Sequence, residues 1–570
     1  MAQQQAVAIA KAFPNGDNIL TRLMDEHQRF DQQKRFYLQM WQEIADRIMP
    51  DSNNIMRVSS PGSKRTQWMF DSTASLSLVK YASTIEALLT PRGKKWHGLQ
   101  SPDPELNDMP EVQDYYDTMV DRLFFARENR GANFSQQTHE TYISQGAFGN
   151  GAVFVDDILG ASLRYRSLHI GEIFYAENHQ GIVDRLDRKF KFSVKQAVEK
   201  FQGNVPPMMK KQYDKGDYLT EYFFVHTCEP NKDYKPGALG IQGMKFLSHY
   251  FCWDMPWLCR TGAGYRVFPY ALARGVSVPG DVYARGPCSL LLPDIKQLNE
   301  MEKTILRQMQ LATDPPILMA EDGNLSGFNM QPGALMWGGL NSEGQEMAKP
   351  FKTDANFQVA KEAQEQKRNV IKDGLLVNVW QILKDLPEMT ATQALLNEQE
   401  KAQITAPMTG RLQSEFIPAI VLREIDLLDN AGQLPPMPQV MIDRGMSPLN
   451  TEVQFVAPIN RAQQADEGVA IMTTLQSLAP LAQFDKSVML LPKADPIARK
   501  IAAINGMNAK YFNTVEFVQD QMKKQAQQLQ QQNLIQAAPL IAGAAKDMAG
   551  AQAGQPPAQQ PVSLPQPGGR

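Results

Sequence analysis

The side chains of this chain that could do chemistry are its seven histidines, four cysteines and a few close carboxylate pairs, and their spacing points away from catalysis. His27, His97, His139, His169, His179, His226 and His249 never fall in the H-E-x-x-H or H-x-H spacing that turns two imidazoles toward one metal ion. They read as surface residues or as hydrogen-bonded core residues. Cys228, Cys252, Cys259 and Cys288 form no C-x-x-C pair and do not alternate with histidine, so they read as free thiols of a reducing cytoplasm. No G-x-S-x-G elbow presents a serine, and Ser289 falls at a predicted helix start, where a structural role is expected. Asp156 with Asp157, and Glu424 with Asp426, have no phased partners and are expected on solvated faces.

Phosphate chemistry fares no better. The chain has no G-x-x-x-x-G-K-[ST] loop. Gly146, Gly149 and Gly151 in QGAFGNG approach a glycine-rich fingerprint, but they precede a strand instead of opening a helix, so a turn or a close backbone contact is expected. Arg92, Lys94 and Lys95 beside Trp96 could touch a phosphate, although an exposed loop patch is the plainer reading. With no nucleophile, acid–base pair or metal set, the chain reads as a non-enzyme without a cofactor.

The elements around these residues fit a large, multi-part α+β protein that is mainly helical. Its 570 residues are 43% hydrophobic, enough for several cores. Helical periodicity runs over 17–49, through Ile19, Leu20, Leu23, Phe30, Tyr37, Trp41, Ile44 and Ile48, and again over 72–90, with Asp71 or Ser72 to cap it. From about 150 to 270 the period is two. Residues 182–192 set Ile182, Leu186, Phe190 and Phe192 against Arg185, Asp187, Lys189 and Lys191, predicting a strand with one wet face. Runs at 152–155, 218–226 and 244–252 complete an expected antiparallel sheet. A long helix follows over 288–312, with Ile295, Leu298, Ile305 and Met309 on one stripe, roughly 38 Å of rod. Pro315 and Pro316 stop it.

A Gly- and Pro-rich insert with strand-like pieces at 317–320 and 334–337 separates that helix from a second one over 354–376, whose inward positions are Phe357, Ala360, Ala363, Val370 and Ile371. Thr390 and Gln393 make a capping box for a helix to about Asp429, kinked at Pro407 and Pro418. Helical stretches at 461–479, 494–509 and 513–548 include a Gln-rich run at 519–532, and the last twenty or so residues are too polar to fold alone. The N-terminus carries no basic leader with an apolar core, and no stretch nears the length of a membrane span, so neither secretion nor membrane insertion is expected.

Several strings resemble the head-to-tail connector family of short-tailed phages, the phage portal proteins. They are Phe70-Asp71-Ser72-Thr73, KYASTIEALLTPRGKKWHGL (80–99), QGAFGNGAVFV (145–155), GDVYARGP (280–287), LPDIKQLNEMEKTILRQ (292–308) and MTATQ (389–393), in this order over roughly residues 20–460. The resemblance implies a portal fold with a wing at 1–286, stem helices at 287–313 and 354–376, a clip at 314–353 between them, and a channel loop at 377–391. A kinked wing helix at 392–450, a crown at 451–548 and a disordered tail at 549–570 would follow. It implies a virion protein of the capsid vertex, assembled in the host bacterial cytoplasm as a ring of about twelve copies.

The implied partners are the large subunit of the terminase, tail adaptor or nozzle proteins, major capsid and scaffolding proteins, and double-stranded DNA in transit without sequence specificity. Lys384, Asp385 and Glu388 become candidates to meet DNA. Glu300, Lys303, Arg307, Glu362 and Lys367 become candidates to pair between neighbouring stems. Glu321, Asp322, Asn324, Phe328, Trp337 and Glu343 become candidates for docking at the clip. The net charge of −3 suits a channel, since a protein with no basic excess does not trap a duplex by counterion release. The alternative is another head–tail connector or tail adaptor ring.

Overall fold

A computed structural model describes residues 17–52, 54–56, 62–158, 162–313, 317–319, 343, 348–350, 357–377, 408–455 and 458–481, with isolated residues up to 528. Contacts divide the chain into two units, residues 1–489 and 490–570; the described residues of the second, among 497–528, are helical.

The first helix, Asp17–Ile48, matches its predicted extent. Leu20, Leu23, Trp41, Ile44 and Ile48 are buried as its period requires, but His27 and Lys34 are buried on the same stripe. Lys34 donates to the carbonyls of Ile170, Gly171 and Ile173 at 2.7–2.9 Å and lies 3.9 Å over the Phe174 ring. A long aliphatic stem packs like leucine while its ammonium ends in a cradle of oxygens. Burial pulls the Lys34 pKa down to about 7.

The second helix, Thr73–Leu89, is capped as expected, with Asp71 Oδ1 accepting from the Thr73 N–H at 2.7 Å. Helices Pro110–Glu128 and Phe134–Phe148 pack with it into the main core.

The expected sheet is two sheets. Strands β2 (Asn150–Ile158), β3 (Ser162–Leu168) and β9 (Tyr270–Arg274) form one in the order β3-β2-β9. Strands β4 (Ile173–Glu177), β5 (Val183–Ser193), β6 (Glu221–Pro230), β7 (Phe246–Cys252) and β8 (Trp257–Tyr265) form the other in sequence order, antiparallel throughout. The short helix Val194–Lys200 and its neighbour Pro207–Asp214 cover one face of the larger sheet, burying Val194, Ala197 and Met209 against Phe190 and Phe224. The first helix covers the other face, where Leu20 and Leu23 meet Val225, Phe251 and Leu258.

The predicted wet face of β5 holds at Lys191, which is exposed, and is corrected toward Asp187. Asp187 is fully buried and Arg185 nearly so, because the first helix lies over them with its own charges. His27 Nδ1 is 3.1 Å from Asp187 Oδ2, Arg185 reaches Glu26 at 2.6 Å, and Arg22 reaches Glu229 at 2.6 Å. Ile182, predicted inward, is exposed just before the strand.

Two further corrections concern the carboxylates and the loop patch. Glu424 and Asp426, expected in solvent, are buried on the helix Ile417–Asn430. Glu424 receives the Arg127 guanidinium and the Tyr165 hydroxyl at 2.5 Å, while Asp426 takes Arg423 and Arg266. Trp96 is 2% exposed and is no part of a surface patch; Arg127 lies 4.8 Å over its ring. Arg92 pairs with Glu86, which also meets His139.

The helix containing Pro418 begins after a π-helical turn, Leu412–Phe416. The wider turn lies just before the residue whose ring would otherwise strike the preceding carbonyl. Pro407, the capping box at Thr390 and Gln393, and the strand-like piece 334–337 lie outside the described residues. The two-stranded pairings are β10 (Ile317–Met319) with β11 (Ala348–Pro350), and β1 (His97–Gln100) with β12 (Glu452–Phe455). The helix Pro458–Leu481 covers the predicted 461–479.

Candidate functional site at the root of the helix pair

The long helix spans Pro287–Thr313, and the returning helix Phe357–Gly374 packs against it. Ile295 and Leu298 are buried as their spacing requires, but Leu306 and Met309 are more than half exposed, so the helix leaves the core beyond about residue 299. On the returning helix Ile371 is buried while Val370, predicted inward, is exposed. One residue of offset turns a helical side chain by about 100°, and adjacent Val370 and Ile371 cannot both face the partner. Near the base, Gly374 leaves no room for a side chain, since a Cβ there would stand 2.8 Å from Leu291 Cδ2.

Asp71 and Asn299 tie the pair to the body. The Asn299 side-chain oxygen accepts from the backbone N–H groups of Phe70 at 2.8 Å and Asp71 at 3.2 Å, and its amide donates to Ile295 O at 2.8 Å. Asp71, already the cap of Thr73, takes Arg368 of the returning helix at 3.0 Å through its second oxygen. Arg368 also meets Glu302. The Asp71 carboxylate thus joins the start of a body helix to the returning helix, and its backbone N–H and Arg368 carry the link on to Asn299 and Glu302 of the long helix. Lys296 adds a 2.7 Å bridge to Glu43 of the first helix, which holds the Glu43 carboxyl below its usual range.

The chain enters the long helix through a backbone-on-backbone contact. Gly149 ends the helix Phe134–Phe148 at φ +79°, and a Cβ there would lie 2.4 Å from Ala284 O. Gly286 faces it with equally little room, 2.7 Å from Gln145 O. Between them Asn150 uses its whole side-chain capacity: it donates to Phe148 O and Ala284 O and accepts from Ala284 N and the Tyr175 hydroxyl. The glycines expected to serve close packing do so, and the strings 70–73, 145–151 and 280–287 converge on the base of one helix.

Among the predicted residues, Lys367 pairs with Asp294 at 2.7 Å and Lys303 with Glu300 at 3.2 Å, both within this chain, whereas Arg307 and Glu362 stand exposed. Glu343 is exposed at a turn. Lys384, Asp385, Glu388, Glu321, Asp322, Asn324, Phe328 and Trp337 lie outside the described residues. Asp71 was singled out from sequence only as a helix cap, and Asn299, Asn150 and Arg368 were not singled out, although Asp71, Asn150 and Asn299 stand in the strings that carry the resemblance.

The chemistry of this region is cohesive. All four cysteines are buried free thiols, and burial pushes Cys252 up to about 11 and Cys288 up to about 12, far from the thiolate a nucleophile needs. Burial and the Arg127 charge hold His97 well below the usual histidine range.

The sequence model of the family described as bacteriophage head to tail connecting protein matches residues 20–512. A probable portal protein of Bordetella phage BPP-1 is 24% identical over 516 residues, covering 88% of this chain and 91% of its own length. The portal protein of Salmonella phage epsilon15 is 24% identical over 528 residues, covering 91% and 93%. A chain from the virion of a native gene transfer agent particle overlays 71% of this chain and 99% of itself at 12% identity, with a TM-score of 0.29, too low to carry an argument. A match that begins in the first helix and runs past the helix pair and its root through residue 512 is one to the whole architecture, and the chain belongs to the bacteriophage head to tail connecting protein family.

Proposed function

We propose that this chain is the repeating subunit of a phage portal, a ring at one capsid vertex through which the genome is packed and later ejected. The observation that carries the reading is the family match over residues 20–512, joined by two relatives named as portal proteins along nine-tenths of their length. The physical form of the helix pair supports it. Its base is locked into the body by Asp71 and Asn299, while Leu306, Met309, Val359 and Val370 leave apolar surface uncovered on a single copy, as a subunit that packs against neighbours in a ring would.

On this reading the pair is the stem, residues 314–353 are the clip that receives the terminase and the tail adaptor, and 377–391 is the loop nearest the DNA, with Lys384, Asp385 and Glu388 meeting it transiently. Residues 1–286 form the wing and 451–548 the crown. The subunit works as structure and acts in the virion, without catalysis of its own. Its net charge of −3 lets a duplex slide, because there is no surplus of cations to release counterions along the channel.

Single-particle electron microscopy of the purified full-length chain tests the proposal. Rings of about twelve copies with an open axial channel are expected. Monomers, or closed particles without a channel, would sink it.

A further inference from the structure

The two helices of the pair turn oppositely charged faces away from each other. On the long helix Leu291, Asp294 and Glu302 meet Gly374, Lys367 and Arg368 of the returning helix, with buried Leu298 in the middle of that stripe. Arg307 is nine residues past Leu298, and nine steps of about 100° turn it half a circle, to the far side. Lys296, Glu300 and Lys303 stand on that side with it, so the face carries three cations and one carboxylate. On the returning helix the buried inward position is Ile371, and Glu362 is nine residues before it, again half a circle away. Glu365 and Asp373 join Glu362 there beside Gln358, Gln366 and Asn369, while Lys361 and Lys372 lie about a quarter turn off. This second face is acidic.

Several of these charges are answered within the chain: Lys296 by Glu43, Lys303 by Glu300, and Glu365 by Arg368 and Lys372. Arg307 and Glu362 are exposed and make no ion pair with another described residue. They cannot answer each other within one copy, since the pair itself stands between them. They do share a height. The helices run antiparallel, and Arg307 lies five residues beyond Glu302 while Glu362 lies six residues before Arg368, the partner of Glu302. Apolar surface accompanies both charges: Leu306, next to Arg307, is 51% exposed, and Val359, one turn from Glu362, is 59% exposed.

A closed ring of more than two copies is built from heterologous contacts, in which one face of a copy meets a different face of the next. Rotation about the ring axis leaves heights along that axis unchanged, so in a pair running along it the groups that meet must be level, as these are. Resting on the ring reading, we infer that the far side of the long helix in one copy packs on the far side of the returning helix in the next. Arg307 pairs with Glu362 of the next copy, and Leu306 and Val359 are covered beside them. The helix pairs then stand side by side around the ring. A second copy is the occupant because one chain supplies both complementary faces, basic on one side and acidic on the other at the same height.

Full-length protein carrying Arg307→Cys and Glu362→Cys together, treated with a bis-maleimide spanning about 8–10 Å, the distance between packed helix axes, tests the contact. The four native cysteines are buried and stay unreacted in the folded protein. A denaturing gel should show a ladder of dimers, trimers and higher species, with each single-cysteine variant staying at the monomer and electron microscopy of the same samples showing rings. Rings without a ladder would overturn the contact and leave the ring reading standing. A single-cysteine variant that cross-links as well as the double one would also overturn it, since like faces would then meet. No rings in any sample, the unmodified chain included, would overturn the ring reading and this inference with it. Charge exchange reads the pairing itself. Arg307→Glu should raise the protein concentration at half assembly by about fivefold, and Arg307→Glu with Glu362→Arg should return it to that of the unmodified chain. A double variant no better than the single one would overturn the Arg307–Glu362 pair.

Discussion

The interior of the body and the flank of the helix pair both carry many ion pairs, yet the two are held in opposite solvent environments. Inside the body, Glu424 is enclosed by Arg127 and Tyr165, and Asp187 by His27 and Arg185, with almost no water contact. Along the pair, Lys367 with Asp294, Lys303 with Glu300 and Lys296 with Glu43 are each partly or largely exposed. A buried charge that loses its partner is stranded in low dielectric, whereas an exposed one is re-solvated at small cost. The body is therefore committed to one arrangement, whereas the charges of the pair can change partners at small cost.

The sharpest way to break this contrast is Glu424→Ala, which strands Arg127. A loss of about 3–5 kcal/mol is expected in chemical unfolding of the purified chain. A loss below about 1 kcal/mol would place Glu424 with the exposed pairs. Asn299→Ala comes next. It leaves the N–H groups of Phe70 and Asp71 without their acceptor at the junction of body and pair, at about 1–3 kcal/mol. Hydrogen exchange should rise around 287–299 and 70–73 while β6 and β7 stay protected; uniform exchange would show that the junction is not a separate joint.

Lys34 tests the buried side by pH. The unfolded lysine keeps its proton up to about 10.4, while the folded one releases it near 7, so between those values the unfolded state binds more protons. Stability relative to Lys34→Met should therefore rise as pH climbs from about 7 toward 10. A flat profile would mean that the three carbonyls hold the ammonium at its ordinary pKa. The smallest effect belongs to Lys296→Gln, under about 1 kcal/mol and vanishing with added salt. Because Lys296 depresses the Glu43 carboxyl, the pair's contribution is present at neutral pH and lost as pH falls through the carboxylate range. Salt-insensitive loss would move this pair into the buried class.

The helices were legible in advance because their information is local. Asp17–Ile48, Thr73–Leu89 and Pro287–Thr313 follow apolar residues repeating every three or four positions, bounded by caps and prolines that act within one turn. The strand at 183–193 was legible as a strand, but its odd residues were assigned to water, since alternation of polar and apolar residues normally means one solvated face. It is covered by a helix about 160 residues earlier in the chain, and nothing within either segment reveals the other. The same limit hid Glu424, whose partner Arg127 is 297 residues away. Within the pair, Asn299 reads as one more polar residue on an amphipathic helix until its acceptor is seen between two backbone donors at the base.

What the sequence by itself determined was the long periodic helices and the alternating strands, the lack of catalytic spacing and, through short ordered strings, the family. Each is written in neighbouring residues, where caps, periodicity and glycine geometry act. What only the tertiary structure decided was which polar residues are interior and that the quoted strings meet at the root of one helix. Burial and charge pairing are properties of chain segments brought together across hundreds of residues, and a carboxylate carries no local mark of whether water or a guanidinium will face it.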